Sequence, residues 1–374
     1  MDPVRGKEAL TNLEKMKKTE VLFPRRILIV KLSAIGDVIQ TLPMVEALKE
    51  HFPDARIDWV VEEEASDLIT GHPALERVIV SRRKSWQKQF LGKGRWRVTL
   101  REMRKFFRDL RSCEYDWIID NHGILKSGLL VFLSRGKRKI GFQASPGIAD
   151  EGNYLFTNER YPAPDIERHA LDRYLNLVAQ LGVPVNQRTL AFPVSAAARK
   201  NAQKILADRN FLAHPLVVIH PLAQWTTKNW PQENFARLAD ALVARGIGVV
   251  FTGSAQDREA LEEIGKLLNS RENVLNLAGS TTLRELAGIF SLAELVLTTD
   301  TGPMHLAAAV RVPLVALFGP TAPWRTGPYG NGHVVIRKGL PCSPCYQKKC
   351  ATRECMNTIS VEEVLAAVEK RLRA

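Results

Sequence analysis

No apolar run in this chain approaches the roughly 18–20 residues needed to cross a bilayer. The start, Met1-Asp-Pro-Val-Arg-Gly-Lys7, lacks the apolar core of a secretory signal. These absences lead to the expectation of a cytoplasmic protein. No short-period repeat appears, which sets aside solenoid arrays. Cysteine is scarce, five residues in 374, with Cys113 alone and the rest crowded near the C-terminus. A disulfide framework is therefore disfavoured. No pair of carboxylates has a spacing that demands a catalytic metal, and none is expected to be required.

What is present is a large, basic, globular chain. At 374 residues it is long enough for two domains of roughly 150–190 residues, each with its own core. Hydrophobic residues make up 45% and charged residues 25%, an ordinary soluble composition. The net charge of +13 calls for a negatively charged partner: nucleic acid, an anionic membrane face or a phosphorylated glycolipid.

Residues 82–111 concentrate that charge. Arg101, Arg104, Lys105, Arg108 and their basic neighbours face only Glu102 and Asp109 as acids, with Trp86, Phe90, Trp96, Phe106 and Phe107 interleaved. Aromatics among cations fit an interfacial surface, where each basic residue adds on the order of 1 kcal/mol near anionic lipid. A solvated helix face is the plainer alternative. No recognised nucleic-acid module surrounds the segment, so nucleic acid is not the expected partner.

Hydrophobic patterning gives an α/β chain in two halves. Residues 1–25 form a basic arm, 26–190 a first doubly wound, Rossmann-like domain, and 191–374 a second, with a linker near 184–195 and a cleft between them. The first begins with a strand at 26–31, then a loop and helix in which Gly36-Asp37 marks the junction. Asp37 there is either a reactive carboxylate at the strand ends or a simple complement to the helix dipole. Strand 116–120 is followed by a turn carrying His122 and Lys126. Residues 143–168, rich in Pro, Gly and Asn, read as one long irregular segment.

The second half repeats the pattern and contains the stretch on which the reading centres, Val296 to Thr321. A buried strand runs into Asp300-Thr301-Gly302-Pro303, then a small-residue helix containing His305, then another strand. A helix start at the carboxyl end of a parallel strand leaves backbone N–H groups facing a crevice and favours a phosphate. Asp300 can accept from sugar hydroxyls there, His305 can reach a phosphate oxygen, or Asp300 and Thr301 merely cap the helix. Asp257, in the turn after strand 248–253, is either a ribose ligand or a helix cap.

These residues resemble a known family. Leu28-Ile-Val-Lys-Leu-Ser-Ala-Ile-Gly-Asp-Val-Ile-Gln-Thr-Leu-Pro43, Asp116-Trp-Ile-Ile-Asp-Asn-His-Gly-Ile-Leu-Lys-Ser127, His169-Ala-Leu-Asp-Arg173, Thr226-Thr-Lys-Asn-Trp-Pro231 and Thr299-Asp-Thr-Gly-Pro-Met-His305 resemble, in order, the motifs of the bacterial lipopolysaccharide heptosyltransferases, glycosyltransferase family 9. The resemblance implies a two-domain GT-B fold and inverting transfer of heptose from ADP-heptose to the lipopolysaccharide inner core. The acceptor would be an anionic glycolipid, lipid A–Kdo or core, met at the cytoplasmic face of the inner membrane. It further implies Asp37 as the catalytic aspartate, with Thr226, Thr227, Lys228, Asp300, Thr301, Gly302 and His305 as donor contacts.

The chemistry is consistent with that implication. Inverting transfer needs a base for the acceptor hydroxyl and something to neutralise the leaving diphosphate. Asp37 fits the first role; Lys228, His305 and the helix start at 300–305 fit the second. His122, Lys126 and the basic side chains Arg101, Arg104, Lys105 and Arg108 are expected on the acceptor side. Cys342, Cys345, Cys350 and Cys355, four thiols within fourteen residues, read as a zinc or iron–sulfur knuckle or as a metal-free structural cluster. Rival readings are a GT-B transferase or epimerase using another nucleotide sugar, and a non-catalytic glycolipid-binding relative.

Overall fold

The computed structural model describes residues 23–91, 96–185, 189–209, 211 and 214–373. Nearly all of the expected arm 1–25, Lys93 and Arg95 of the basic segment, and 186–188 of the expected linker lie outside them. The chain divides into two compact units. The first comprises residues up to Ser33, Met44–Ile166 and Arg173–Gln187; the second comprises Ala34–Pro43, Glu167–Asp172 and Arg188–Ala374.

In the first unit, β1 (Arg26–Val30), β2 (Arg56–Glu62), β3 (Arg77–Ser81), β4 (Tyr115–Asp120), β5 (Gly136–Phe142) and β6 (Glu159–Tyr161) form a six-stranded sheet in the order β3-β2-β1-β4-β5-β6. All its pairings are parallel. Strands such as β1, Arg-Ile-Leu-Ile-Val, are buried almost throughout because helices cover both faces of a parallel sheet. The helices used below are α1 (Ile35–His51), which gives its first turns to the second unit, then α2 (Arg83–Leu91), α3 (Trp96–Leu110) and α4 (Leu125–Leu133).

Helix α3 is amphipathic. Thr99, Phe106 and Leu110 are buried, while Arg101, Arg104, Lys105 and Arg108 are exposed. The expected aromatic surface is corrected in part here. Trp86 and Phe106 are core residues, their rings 5.6 Å apart, and the Trp86 indole N–H donates to Glu102 Oε2 at 3.0 Å. Burying both rings fastens α2 and α3 to the sheet and leaves Phe90 and Trp96 outside.

The second unit repeats the architecture. Strands β7 (Leu216–His220), β8 (Gly248–Phe251), β9 (Val274–Asn276), β10 (Leu295–Thr299), β11 (Leu314–Phe318) and β12 (Val334–Arg337) are ordered β12-β11-β10-β7-β8-β9, again all parallel. Counted within its own unit, each sheet reads third, second, first, fourth, fifth, sixth strand. Helix α5 (Gly302–Val310) follows β10, and α6 (Val361–Leu372) closes the chain against the core. The doubly wound α/β class expected from the sequence is the one observed, twice over.

Candidate active site

In a doubly wound sheet the crevice opens at the strand ends where neighbouring strands send their connections opposite ways. In the second unit those neighbours are β7 and β10. The loop after β7 contains a short 3-10 turn, Thr226–Lys228, and Asp300 directly follows β10. The two meet: Lys228 Nζ lies 2.7 Å from Asp300 Oδ2, which also accepts from Thr321 Oγ1, after β11, at 2.6 Å. Both partners are largely withdrawn from water. Such a pair is weak evidence for stability, but leaving either charge alone would be costly. The lysine expected on the donor phosphates is thus paired here with the carboxylate expected to serve the sugar.

Helix α5 begins with Thr301 in extended conformation, with no side-chain cap, and Pro303 in the first turn. Its leading N–H groups are not spent on a cap, which suits an anion. One turn in, His305 is buried, and Gln40 Nε2 donates to its Nδ1 at 3.0 Å. That bond places the imidazole proton on Nε2. Burial pushes the His305 pKa down to about 4; Asp300 and Asp37 pull it upward, and His169 and Lys228 push it down. The ring is therefore neutral at physiological pH and offers an N–H, not the positive charge anticipated for the leaving group.

Asp37 sits in the first turn of α1, its Oδ2 accepting from Ala34 N–H at 3.0 Å. Its neighbour Gly36 lies against the His305 ring, which places Asp37 in the same constellation. Two glycines permit this. A Cβ on Gly36 would come within 2.3 Å of His305 Cδ2, and one on Gly302 within 2.8 Å of Ile35 Cβ. The helix starts carrying Asp37 and Thr301 can pack together only because both positions lack side chains.

Gln40 and His169 were not singled out from the sequence. Gln40 lies three residues after Asp37 and so on the same helical face, a usable signal. His169 accepts Leu171 N–H on Nδ1 at 3.2 Å, and its Nε2 bonds the Gly327 carbonyl at 3.0 Å. Its motif was visible, but no spacing rule tied it to residue 305.

The other expected donor residues are distributed less simply. Thr227 is buried and spends its hydroxyl on the Gln347 carbonyl at 2.8 Å, while the Thr226 carbonyl accepts from Arg353 at 3.3 Å. Asp257 Oδ2 accepts from Ser254 N–H at 2.7 Å and Ser254 Oγ at 2.6 Å, the cap geometry of the plainer alternative.

In the first unit the corresponding strands are β1 and β4. Lys126 Nζ lies 3.2 Å from Glu62 Oε1 and 3.4 Å from Ser33 Oγ. Asp120 is fully buried, accepting from His122 N–H, Gly123 N–H and Asn153 Nδ2 at 3.1, 3.2 and 3.0 Å. Burial raises the Asp120 pKa, and the bonds from Asn153 and Gly123 hold it back.

The cysteine segment corrects an expectation. Among the described residues no group of three or more His, Cys, Asp or Glu side chains is placed to hold a metal ion. The thiols lie at different depths: Cys355 is buried beside Gly319, Cys345 is half-buried, and Cys342 and Cys350 are exposed. Cys350 Sγ accepts from Arg353 N–H at 3.4 Å, and backbone hydrogen bonds lower its pKa. Backbone bonds from Cys345 and Tyr346 to the Pro320 carbonyl, 3.0 and 2.8 Å, anchor the segment instead.

Residues 103–356 match the family model for glycosyltransferase family 9 (heptosyltransferase). The chain is 35% identical over 330 residues to lipopolysaccharide heptosyltransferase 1 of Pseudomonas aeruginosa, covering 87% of each chain. Among solved structures it is similar to E. coli heptosyltransferase WaaC with ADP, with TM-score 0.74, 27% identity, and 92% and 99% of the two chains covered. WaaC with ADP-2-deoxy-2-fluoro heptose gives TM-score 0.71 at 28% identity, with the same coverage. With two six-stranded parallel sheets and this match over most of its length, the chain belongs to glycosyltransferase family 9 and is a heptosyltransferase of the GT-B fold.

Proposed function

We propose that this enzyme transfers heptose from ADP-heptose to the inner core of lipopolysaccharide, with inversion, and with Asp37 as general base. The lipopolysaccharide heptosyltransferase relatives and the ADP-ligand complexes of WaaC support the substrate classes. The observation that carries the mechanism is the Lys228–Asp300 pair at the start of α5, the helix whose His305 ring packs against Gly36 beside Asp37.

An acceptor hydroxyl attacks the anomeric carbon, forming a new C–O bond from the face opposite the leaving group. The anomeric carbon–phosphate oxygen bond breaks, and ADP departs with the electron pair. The hydroxyl proton passes to Asp37 as the bond forms, so an ordinary carboxylate suffices. Lys228 exchanges Asp300 for the diphosphate, and the α5 N–H groups and the His305 Nε2–H supply further donors. Asp300, released, accepts from sugar hydroxyls; Thr226, Thr227, Asp257, Thr301 and Gly302 border the donor. Residues 26–190 handle the acceptor, through His122, Lys126 and the basic face Arg101, Arg104, Lys105 and Arg108, at the cytoplasmic face of the inner membrane.

The test is product analysis after incubating the full chain with ADP-heptose and truncated lipopolysaccharide acceptors. The reading requires a heptosylated product of inverted anomeric configuration. A retained configuration would eliminate the single-displacement role of Asp37, and transfer from a UDP-sugar alone would replace the donor.

A further inference from the structure

Helix α4 presents an apolar face that stands exposed among the described residues. Leu125 is 53% exposed, Leu129 49% and Phe132 60%, at the i, i+4, i+7 spacing that aligns them on one side. Leu155, in the 3-10 turn Asn153–Phe156, is 70% exposed and extends the same surface. That turn lies directly on α4 because residue 128 is glycine; a Cβ there would come within 2.7 Å of Phe156 Cδ2. The Phe156 ring in turn sits edge-on to Phe132, centroids 5.8 Å apart. A contiguous patch of large exposed apolar side chains on a soluble surface marks a contact site.

The rim identifies the occupant. Arg111 Nη1 donates to the Leu133 carbonyl at 2.8 Å and Lys139 Nζ to the Phe132 carbonyl at 3.2 Å, placing two cations at the end of α4 beside the exposed ring. Arg135 and Lys137 follow, both exposed. The basic helix α3 packs on the same side of the sheet, since Phe106 and Leu110 share one core with Val131 of α4. Glu151, whose Oε2 accepts from Leu125 N–H at 3.3 Å, is an acid at the opposite, N-terminal end. An anionic lipid surface satisfies both features, because apolar side chains enter the acyl boundary while cations stay among headgroups.

We infer that the face formed by Leu125, Leu129, Phe132 and Leu155 inserts shallowly into the anionic lipid surface, seating the enzyme on the membrane that carries its acceptor. This rests on the lipid-linked acceptor proposed above and adds a surface outside the basic segment 82–111. The apolar face gives salt-resistant binding, whereas Arg101, Arg104, Lys105 and Arg108 contribute a salt-sensitive attraction.

The experiment is co-sedimentation of the full chain with phosphatidylcholine vesicles, with and without phosphatidylglycerol, at low and physiological salt. The combined Leu129→Gln, Phe132→Gln and Leu155→Gln variant should bind the anionic vesicles roughly tenfold or more weakly at physiological salt. Its melting curve and its turnover on a lipid-free core oligosaccharide should be unchanged. Leu155→Gln alone, at the most exposed position, should give a smaller loss and guards against misfolding of the combined variant. Wild-type vesicle binding by the variants, or no vesicle binding by the wild-type chain, overturns the inference. So does a wild-type dimer that the variants convert to monomer, which would assign the face to self-association. Vesicle binding without heptose transfer to any acceptor would instead defeat the proposed reaction and leave the lipid face standing.

Discussion

The two units share a strand order but use the equivalent strand ends differently. At β1 and β4, Lys126 is matched by Glu62, which also takes Arg83 at 3.3 Å, and Asp120 is enclosed by three donors. Charge there is shared and locked into the scaffold. At β7 and β10, Lys228 and Asp300 rely mainly on each other, beside an imidazole that burial keeps neutral. A lysine with one principal acidic partner can be handed to an incoming diphosphate; a network with several members resists such exchange. The same fold thus gives one crevice whose charges share several partners and one whose lysine and carboxylate rely mainly on each other.

The largest expected effect tests whether Asp37 belongs to the reactive constellation. Asp37→Asn should lower kcat by roughly 10²–10⁴ while donor Kd stays nearly constant. A helix-dipole carboxylate would instead cost about 0.3–1 kcal/mol of stability and leave turnover near normal. Measuring kcat, donor Kd and the melting curve on one preparation separates the two.

Next comes the contrast between the ion pairs. Lys228→Ala or Asp300→Ala should destabilise the protein by about 3–5 kcal/mol, because the surviving charge is left in a desolvated site. Lys126→Ala should cost about 1 kcal/mol or less, since Glu62 retains Arg83. The double variant Lys228→Met, Asp300→Leu should recover most of the stability but not donor affinity. Equal losses from Lys126→Ala and Lys228→Ala would erase the distinction between the crevices.

The units should also part company in acid. The His305 and His220 pKa values are both lowered by burial from 6.5 to about 4. The unfolded chain therefore binds protons between these values that the native chain refuses. Stability is fully present above about pH 6.5 and lost as pH falls toward 4, by about 3 kcal/mol per histidine. Asp120 has the opposite sign, its raised pKa favouring the folded state when protonated. Hydrogen exchange at pH 7 and pH 5 should show the second unit loosening first. Earlier loosening of the first unit would refute this assignment.

The smallest effects come from the glycines. Gly36→Ala should cost about 1–3 kcal/mol as the methyl group displaces the His305 ring. It should also reduce kcat, whereas Gly246→Ala, strained by its φ of +75° but with nothing within 4 Å of an added Cβ, should affect stability alone. Calorimetry with initial rates on both variants checks the difference.

The strands that organise each sheet were legible because both faces are buried and the sequence shows it as continuous apolar runs. β6, Glu-Arg-Tyr, and β12, Val-Val-Ile-Arg, were not anticipated; both are short edge strands, with little pattern for their length. Asp37, Lys228, Asp300 and His305 were visible as residues at strand ends. Their connections were not. The bond between Gln40 and His305 spans 265 positions, and only the folded chain discloses that Lys228 is already paired. Trp86 and Phe106 misled because composition cannot tell an aromatic anchoring a helix from one facing outward.

One contact carries a consequence for the chain as a polymer. The turn that presents Lys228 is held by Gln347 and Arg353, 120 and 127 positions away from their partners, and the Trp225 ring centroid lies 4.6 Å from Lys228 Nζ and 5.0 Å from Lys348 Nζ. The conformational entropy of this loop is thus surrendered during folding, when the cysteine segment docks on Pro320, and not during donor binding. Arg353→Ala, which removes the bond to the Thr226 carbonyl, would return part of that entropy to the ligand-free loop. Affinity for a nucleotide sugar would then fall although every residue lining its site was intact.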